Sequence, residues 1–177
     1  MSCGEEQKKE IETIRERKIT VKLSDADCDR LAKKCGEYGL TIGELIENFV
    51  GDLVGGTYSN GSDERMYADK WFECCWFGMS PKPTLLHHLL CWGYDPEDYL
   101  ELLDNIETAE EEKKYLEEHP EEADEEEASY LDDDIADWKE KLKSRREDWK
   151  PEKEPNMDEE IELIKKWVKE REDFINE

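Results

Sequence analysis

Eight carboxylates, those of Glu117, Glu118, Glu121, Glu122, Asp124, Glu125, Glu126 and Glu127, fall within eleven consecutive positions of this chain. No fold can bury such a run, because an ionised carboxylate leaves water only when paired. The run must therefore lie along a surface. A helix rises about 1.5 Å per residue and duplex DNA carries about one charge per 1.7 Å, so in helical form this stretch approaches the charge density of DNA. The same bias runs through the molecule: 50 acidic against 25 basic side chains give a net charge of -25, and 42% of the residues are charged against 36% hydrophobic. That leaves apolar material for a modest core only, in an elongated, helix-rich molecule of one or two small domains. Contact with DNA, RNA or an anionic membrane is repulsive over most of such a surface, and a basic groove is its natural partner.

The first residues, MSCGEEQKKE, lack an apolar signal region, and no run reaches the roughly 18 apolar residues of a membrane span. A cytoplasmic protein with no membrane partner is expected. Cys3, Cys28, Cys35, Cys74, Cys75 and Cys91 form no repeated CxxC pattern, which predicts free thiols, mostly as small buried hydrophobes.

The segment Lys18 to Ser24 reads KITVKLS, in which Ile19, Val21 and Leu23 alternate with Lys18, Thr20 and Lys22, the period of a half-buried strand. Ser24 can cap a helix that places Cys28, Leu31 and Cys35 on one face and stops at Gly36 or Gly39. Thr41 to Glu44 (TIGE) is a capping box for a second helix with Leu45, Phe49 and Leu53 inward. This order over residues 18–54, about a fifth of the chain, resembles the ribbon-helix-helix family. The resemblance implies a homodimer whose paired strands read operator DNA through Lys18, Thr20 and Lys22, with a phosphate on the amides after Thr41. Glu47 and Asp52 stand where that family's second helix often carries a basic residue.

Residues 55–62 (GGTYSNGS) read as a linker between this module, residues 1–54, and an acidic helical domain, residues 63–177. A helix is predicted from Ser62 to near Gly78, and Pro81-Lys82-Pro83 separates it from a short apolar helix, TLLHHLLCW. The two together are expected to form a compact core. Asp95-Pro96-Glu97-Asp98 is a strong helix start, for a helix running to Pro120. Leu131, Ile135, Trp138, Leu142 and Trp149 mark an amphipathic seam antiparallel to it, and a last helix from Asp158 buries Ile161, Ile164, Trp167, Val168 and Ile175. The fold expected is thus mainly α with a short N-terminal β-strand: a ribbon-helix-helix-like module followed by an acidic helical bundle or hairpin.

Chemistry is thinly represented. His88 and Cys91, with Cys74 or Cys75, form the best available set for zinc. However, neighbouring residues on a helix diverge by about 100°, so a core of thiols and aromatics is the better reading and no metal is expected. No phosphate loop, nucleophile elbow or HExxH motif is present, so neither enzymatic activity nor a cofactor is expected. The segment GGTYSNGSDERMYADKWFECCWF, with the chain's size and charge, resembles the anti-CRISPR proteins of mobile elements that inhibit Cas9. The resemblance implies binding to Cas9 with its guide RNA in a bacterial host cell and a block of target DNA binding or cleavage. The residues expected to supply the anionic face are Glu121, Glu122, Asp124, Glu125, Glu126, Glu127, Asp132, Asp133 and Asp134. Tyr130 and Trp138 either anchor that face or fill the hairpin core. The alternative expectation is a dimeric ribbon-helix-helix regulator.

Overall fold

Among the described residues every regular element is an α-helix. The computed structural model describes the backbone of residues 3–119 and 125–177 and, within them, all side chains except those of Cys3, Glu6 and residues 125–129. In chain order the helices are α1 (Cys3–Glu12), α2 (Asp25–Glu37), α3 (Ile42–Leu53), α4 (Ser62–Cys74), α5 (Trp76–Met79), α6 (Leu85–Cys91), α7 (Pro96–Glu118), α8 (Glu125–Ser144) and α9 (Met157–Asn176). They fall into two compact units that divide between Pro81 and Lys82.

The strand expected over residues 18–24 does not form, and the ribbon-helix-helix module goes with it. Residues 14–24 carry no regular structure, and Ile19, Val21 and Leu23 are each more than half exposed. The physical reason is that alternation supplies a greasy face but not a mate. A strand needs a ladder for its N–H and C=O groups, and no other strand exists among the described residues to provide one. Lys18, Thr20 and Lys22 therefore sit on an open, irregular segment, and the operator-reading ribbon that gave them a role is absent.

The two helices after that segment do form, and their caps explain why. Ser24 Oγ accepts from the Asp27 amide at 3.1 Å and donates to the Asp27 carboxylate at 2.6 Å, which, with Arg30, holds that carboxyl below its ordinary value. At α3, Glu44 N–H donates to Thr41 Oγ1 at 3.1 Å while Thr41 N–H and its hydroxyl donate to Glu44 Oε2 at 2.7 and 2.8 Å. These bonds from Thr41 lower the Glu44 pKa, and they turn the helix's own carboxylate onto the site expected to hold a phosphate. The left-handed stop after α2 is Gly39, at φ +70°, with Leu40 N–H bonded back to Cys35 O at 3.0 Å. The turn at residues 55–61 lies inside the first unit, pinned by Asp52, which is buried and accepts from Asn60 N at 2.7 Å and Nδ2 at 2.8 Å.

The helix expected to run on to Gly78 breaks at Cys75, whose backbone is extended (φ -73°, ψ 151°), and α5 turns back on α4. Gly78 makes that fold-back possible, since a Cβ there would lie 2.2 Å from Phe72 O. Little is sealed from water in this unit. Among its described hydrophobic side chains only Cys35 and Ala68 are fully buried; Leu45 and Leu53 are half-buried and Phe49 is exposed.

The second unit is built differently. Leu85 and Leu89 of α6, Tyr99, Leu102 and Ile106 of α7, Leu142 of α8 and Ile164 of α9 form one cluster, with Leu85, Leu89, Tyr99 and Ile164 wholly enclosed. Each such aliphatic side chain contributes about 1.5–3 kcal/mol by leaving water. The compact core expected of α4 with α6 is thus not what forms: α6 buries its leucines here, while α4 belongs to the first unit and buries Ala68. Polar clasps fix the ends of the cluster. Leu85 N–H donates to Glu160 Oε2 at 2.8 Å, His88 Nε2–H to Arg145 O at 3.0 Å, and Trp149 Nε1–H to Pro83 O at 2.9 Å. Trp149 lies past the end of α8 rather than on its seam, and Ile175, expected inside, is exposed.

Candidate interaction surface

The charge that dominates the sequence is concentrated on one unit. Residues before Lys82 carry sixteen acidic and eleven basic side chains; residues from Lys82 onward carry thirty-four and fourteen. Within the second unit, α7 and α8 lie antiparallel against each other as the amphipathic spacing predicts. Ile135 and Leu142 of α8 are buried, Leu131 and Trp138 half-buried, and Ile106 and Ala109 face them from α7. Asp95 starts α7 by accepting from Glu97 N at 2.9 Å, with Pro96 in the first helical turn.

Two lysine pairs join the helices, both meeting α7 within one turn of its C-terminal half. Lys113 Nζ meets Asp132 Oδ1 and Lys139 Nζ meets Glu110 Oε1, each at 2.5 Å. The hydrogen bond and charge of Asp132 raise the Lys113 pKa, with Glu117 and Glu110 adding to the effect. Lys141 pairs with Asp137 within α8. Beyond these pairs the acids outnumber their partners, and exposed Asp133, Asp134 and Glu140 face water on α8.

Of the residues nominated from sequence, Glu121, Glu122 and Asp124 lie outside the described residues. Glu125, Glu126 and Glu127 open α8, with side chains outside that description. Asp132, Asp133 and Asp134 are exposed, with Asp132 on Lys113. The two aromatics part company: Trp138 packs against the core and Tyr130 is exposed among the acids. Structure adds the acids of α7, the helix antiparallel to α8, among which Glu107, Glu111 and Glu112 are exposed. Their signal was in the sequence, since they recur on the polar face of a helix whose apolar face was recognised. At its far end Tyr115 stacks on His119 with ring centroids 4.3 Å apart.

The two helices together carry charge more sparsely than the single run was expected to, but along a greater length. α7 carries ten acids and two lysines, α8 eight acids and three lysines. Over a length of about 35 Å that is roughly one net negative charge per 2.7 Å of hairpin, against about one per 1.7 Å of duplex DNA.

The other candidate constellations come apart. His87 and Cys91 are neighbours on α6, with Sγ 3.6 Å from Nε2, and His88 turns inward to Arg145. Among the described residues no three His, Cys, Asp or Glu side chains are grouped to hold a metal. Among the described thiols Cys28, Cys74 and Cys91 are exposed, Cys75 is half-buried and Cys35 alone is buried, so they are less enclosed than expected. Among the described residues no helix is long and apolar enough to cross a membrane. No protein-family model, curated protein or solved structure matches this chain.

Proposed function

We propose that this chain binds a protein whose natural ligand is nucleic acid, laying the acidic face of α7 and α8 into the groove that a phosphate backbone would occupy. The observation that carries this reading is the exposure of many carboxylates along two antiparallel helices, joined by two cross-helix lysine pairs and backed by a buried apolar seam. A surface held in place this way acts on a cationic groove as a pre-shaped body rather than as a loose polyanion, which lowers the ordering cost of binding. Tyr130, exposed in the same face, is the aromatic anchor of the contact.

The partner proposed is Cas9 loaded with guide RNA, in the cytoplasm of a bacterial host, and the effect is anti-CRISPR inhibition. Cas9 reads its PAM duplex with arginines and holds nucleic acid in basic channels, so occupation of that surface excludes target DNA. The support for this partner is the sequence resemblance together with the charge and spacing of the hairpin; no catalysis by this chain is required. The test is a cleavage assay with guide-loaded Cas9 at rising salt. Inhibition is expected to weaken with salt and to be lost when Asp132, Asp133 and Asp134 become lysine together with Glu125, Glu126 and Glu127. Inhibition that survives the six reversals removes the hairpin as the contact. Failure to inhibit any Cas9, with salt-sensitive binding to another nucleic-acid-binding protein, removes Cas9 alone.

A further inference from the structure

The first unit carries the larger anomaly, an aromatic face on a domain with almost no interior. Phe49 of α3, Trp71 and Phe72 of α4, and Trp76 and Phe77 of α5 form a continuous edge-to-face network, with ring centroids 5.2 Å (Phe49–Trp71), 6.3 Å (Trp71–Phe77), 5.0 Å (Phe72–Phe77) and 5.8 Å (Trp76–Phe77) apart. These rings would ordinarily be a core. Instead Trp76 is 74% exposed, Trp71 50%, Phe72 44%, and Phe49 and Phe77 37% each.

We propose that this face is the contact between two copies of the chain. Three observations choose a second copy as the occupant. First, the area fits. At about 200 Å² per ring the five side chains leave roughly 480 Å² uncovered, and Tyr67 and Ile46, one turn back on α4 and α3, bring the face to roughly 650 Å². That exceeds the ~300–600 Å² of the largest apolar patch on an ordinary monomer and approaches the ~800 Å² each partner gives to a stable interface.

Second, the unit lacks a core of its own. With Cys35 and Ala68 its only fully buried hydrophobic side chains among the described residues, it stands to gain stability from any surface that covers its rings. A second copy is at hand wherever the chain is, and covering the rings then couples the unit's stability to association. Third, the charge is placed to permit it. The aromatic face belongs to the unit with an acid excess of five, not to the one with an excess of twenty, so two polyanionic chains meet where their repulsion is least.

The test needs no nuclease, so it stands or falls apart from the inhibitor reading. Sedimentation of the full chain over a roughly hundredfold concentration range should show a species of twice 20.9 kDa dissociating on dilution, with a melting temperature that rises with concentration. Trp76→Glu should raise the dimer dissociation constant at least tenfold. Trp76→Ser, which removes a ring three-quarters exposed in the monomer, should do the same with helix content unchanged. Three results would overturn the proposal. One is a 20.9 kDa species at every concentration with tryptophans open to acrylamide. Another is a monomer whose tryptophans are shielded, which assigns the cover to the chain itself. The last is a dimer indifferent to both Trp76 variants.

Discussion

The two units solve the same problem with opposite means. The first unit is held by local devices, two side-chain helix caps, an Asp52–Asn60 clasp and a glycine fold-back, and leaves its aromatic rings in contact with water. The second encloses Leu85, Leu89, Tyr99 and Ile164 completely and carries the excess charge outside. The difference teaches where a polyanion can keep its shape. Mutual repulsion among carboxylates opposes compaction, so the helices that bear them need the deeper core, whereas a weakly charged unit can persist on caps and local clasps.

The comparison breaks most visibly in the cores. Ile164→Ala or Leu89→Ala should cost about 2–5 kcal/mol in denaturant unfolding of the second unit, while Ile42→Ala on the exposed side of α3 should stay within about 0.5 kcal/mol. Equal losses would mean that the two units share one cooperative core. Gly78→Ala comes next. Its Cβ meets the Phe72 carbonyl, so α5 must swing away from α4 at about 1–3 kcal/mol, with loss of the near-ultraviolet dichroism of the packed rings. An unchanged aromatic spectrum would refute the fold-back.

Smaller is the cap: Thr41→Ala should cost about 1 kcal/mol, confined to the first unit. The Glu44 and Asp27 pKa values lie below their ordinary values of 4.5 and 3.8, so each contributes stability that is complete above the ordinary value and disappears as pH falls through the folded one. Protection against hydrogen exchange at α2 and α3, relative to the free-peptide rate at the same pH, should therefore fall on the acid side of that range, and protection that holds there would discount both caps. Smallest is Tyr99→Phe. The Tyr99 hydroxyl is buried without a hydrogen-bond partner among the described groups, and burial raises its pKa. Phenylalanine should leave stability unchanged or raise it by about 1 kcal/mol. In the wild type the Tyr99 contribution is complete below pH 10.0 and is lost as pH rises through the higher folded value, so its phenolate absorbance should appear only with alkaline unfolding.

What could be read from the sequence was what short-range chemistry decides. Ser24, Thr41 with Glu44, and Asp95-Pro96 start helices where they were expected to, because a cap is settled within four residues. The seam of Ile135, Trp138 and Leu142 was legible for the same reason, as a period. The missing strand at residues 18–24 shows the limit: a period of two names a face, and only a distant segment can supply its ladder. Cys75 shows another, since nothing at that position marks a break, and the glycine that permits it lies three residues on and acts through space on Phe72. Of the interaction surface, the Asp132 to Asp134 cluster was nominated and is exposed. The α7 acids entered only once two helices were seen side by side, because adjacency across a hairpin is written in no single stretch.

The staples Lys113 and Lys139 set rigidity against charge. Each cation that fastens the hairpin also cancels one of the charges it displays, so acetylation of either amine would sharpen the electrostatic image while loosening the frame that holds it. A polyanion built from paired helices must settle how much of its own charge to give up in order to stand still.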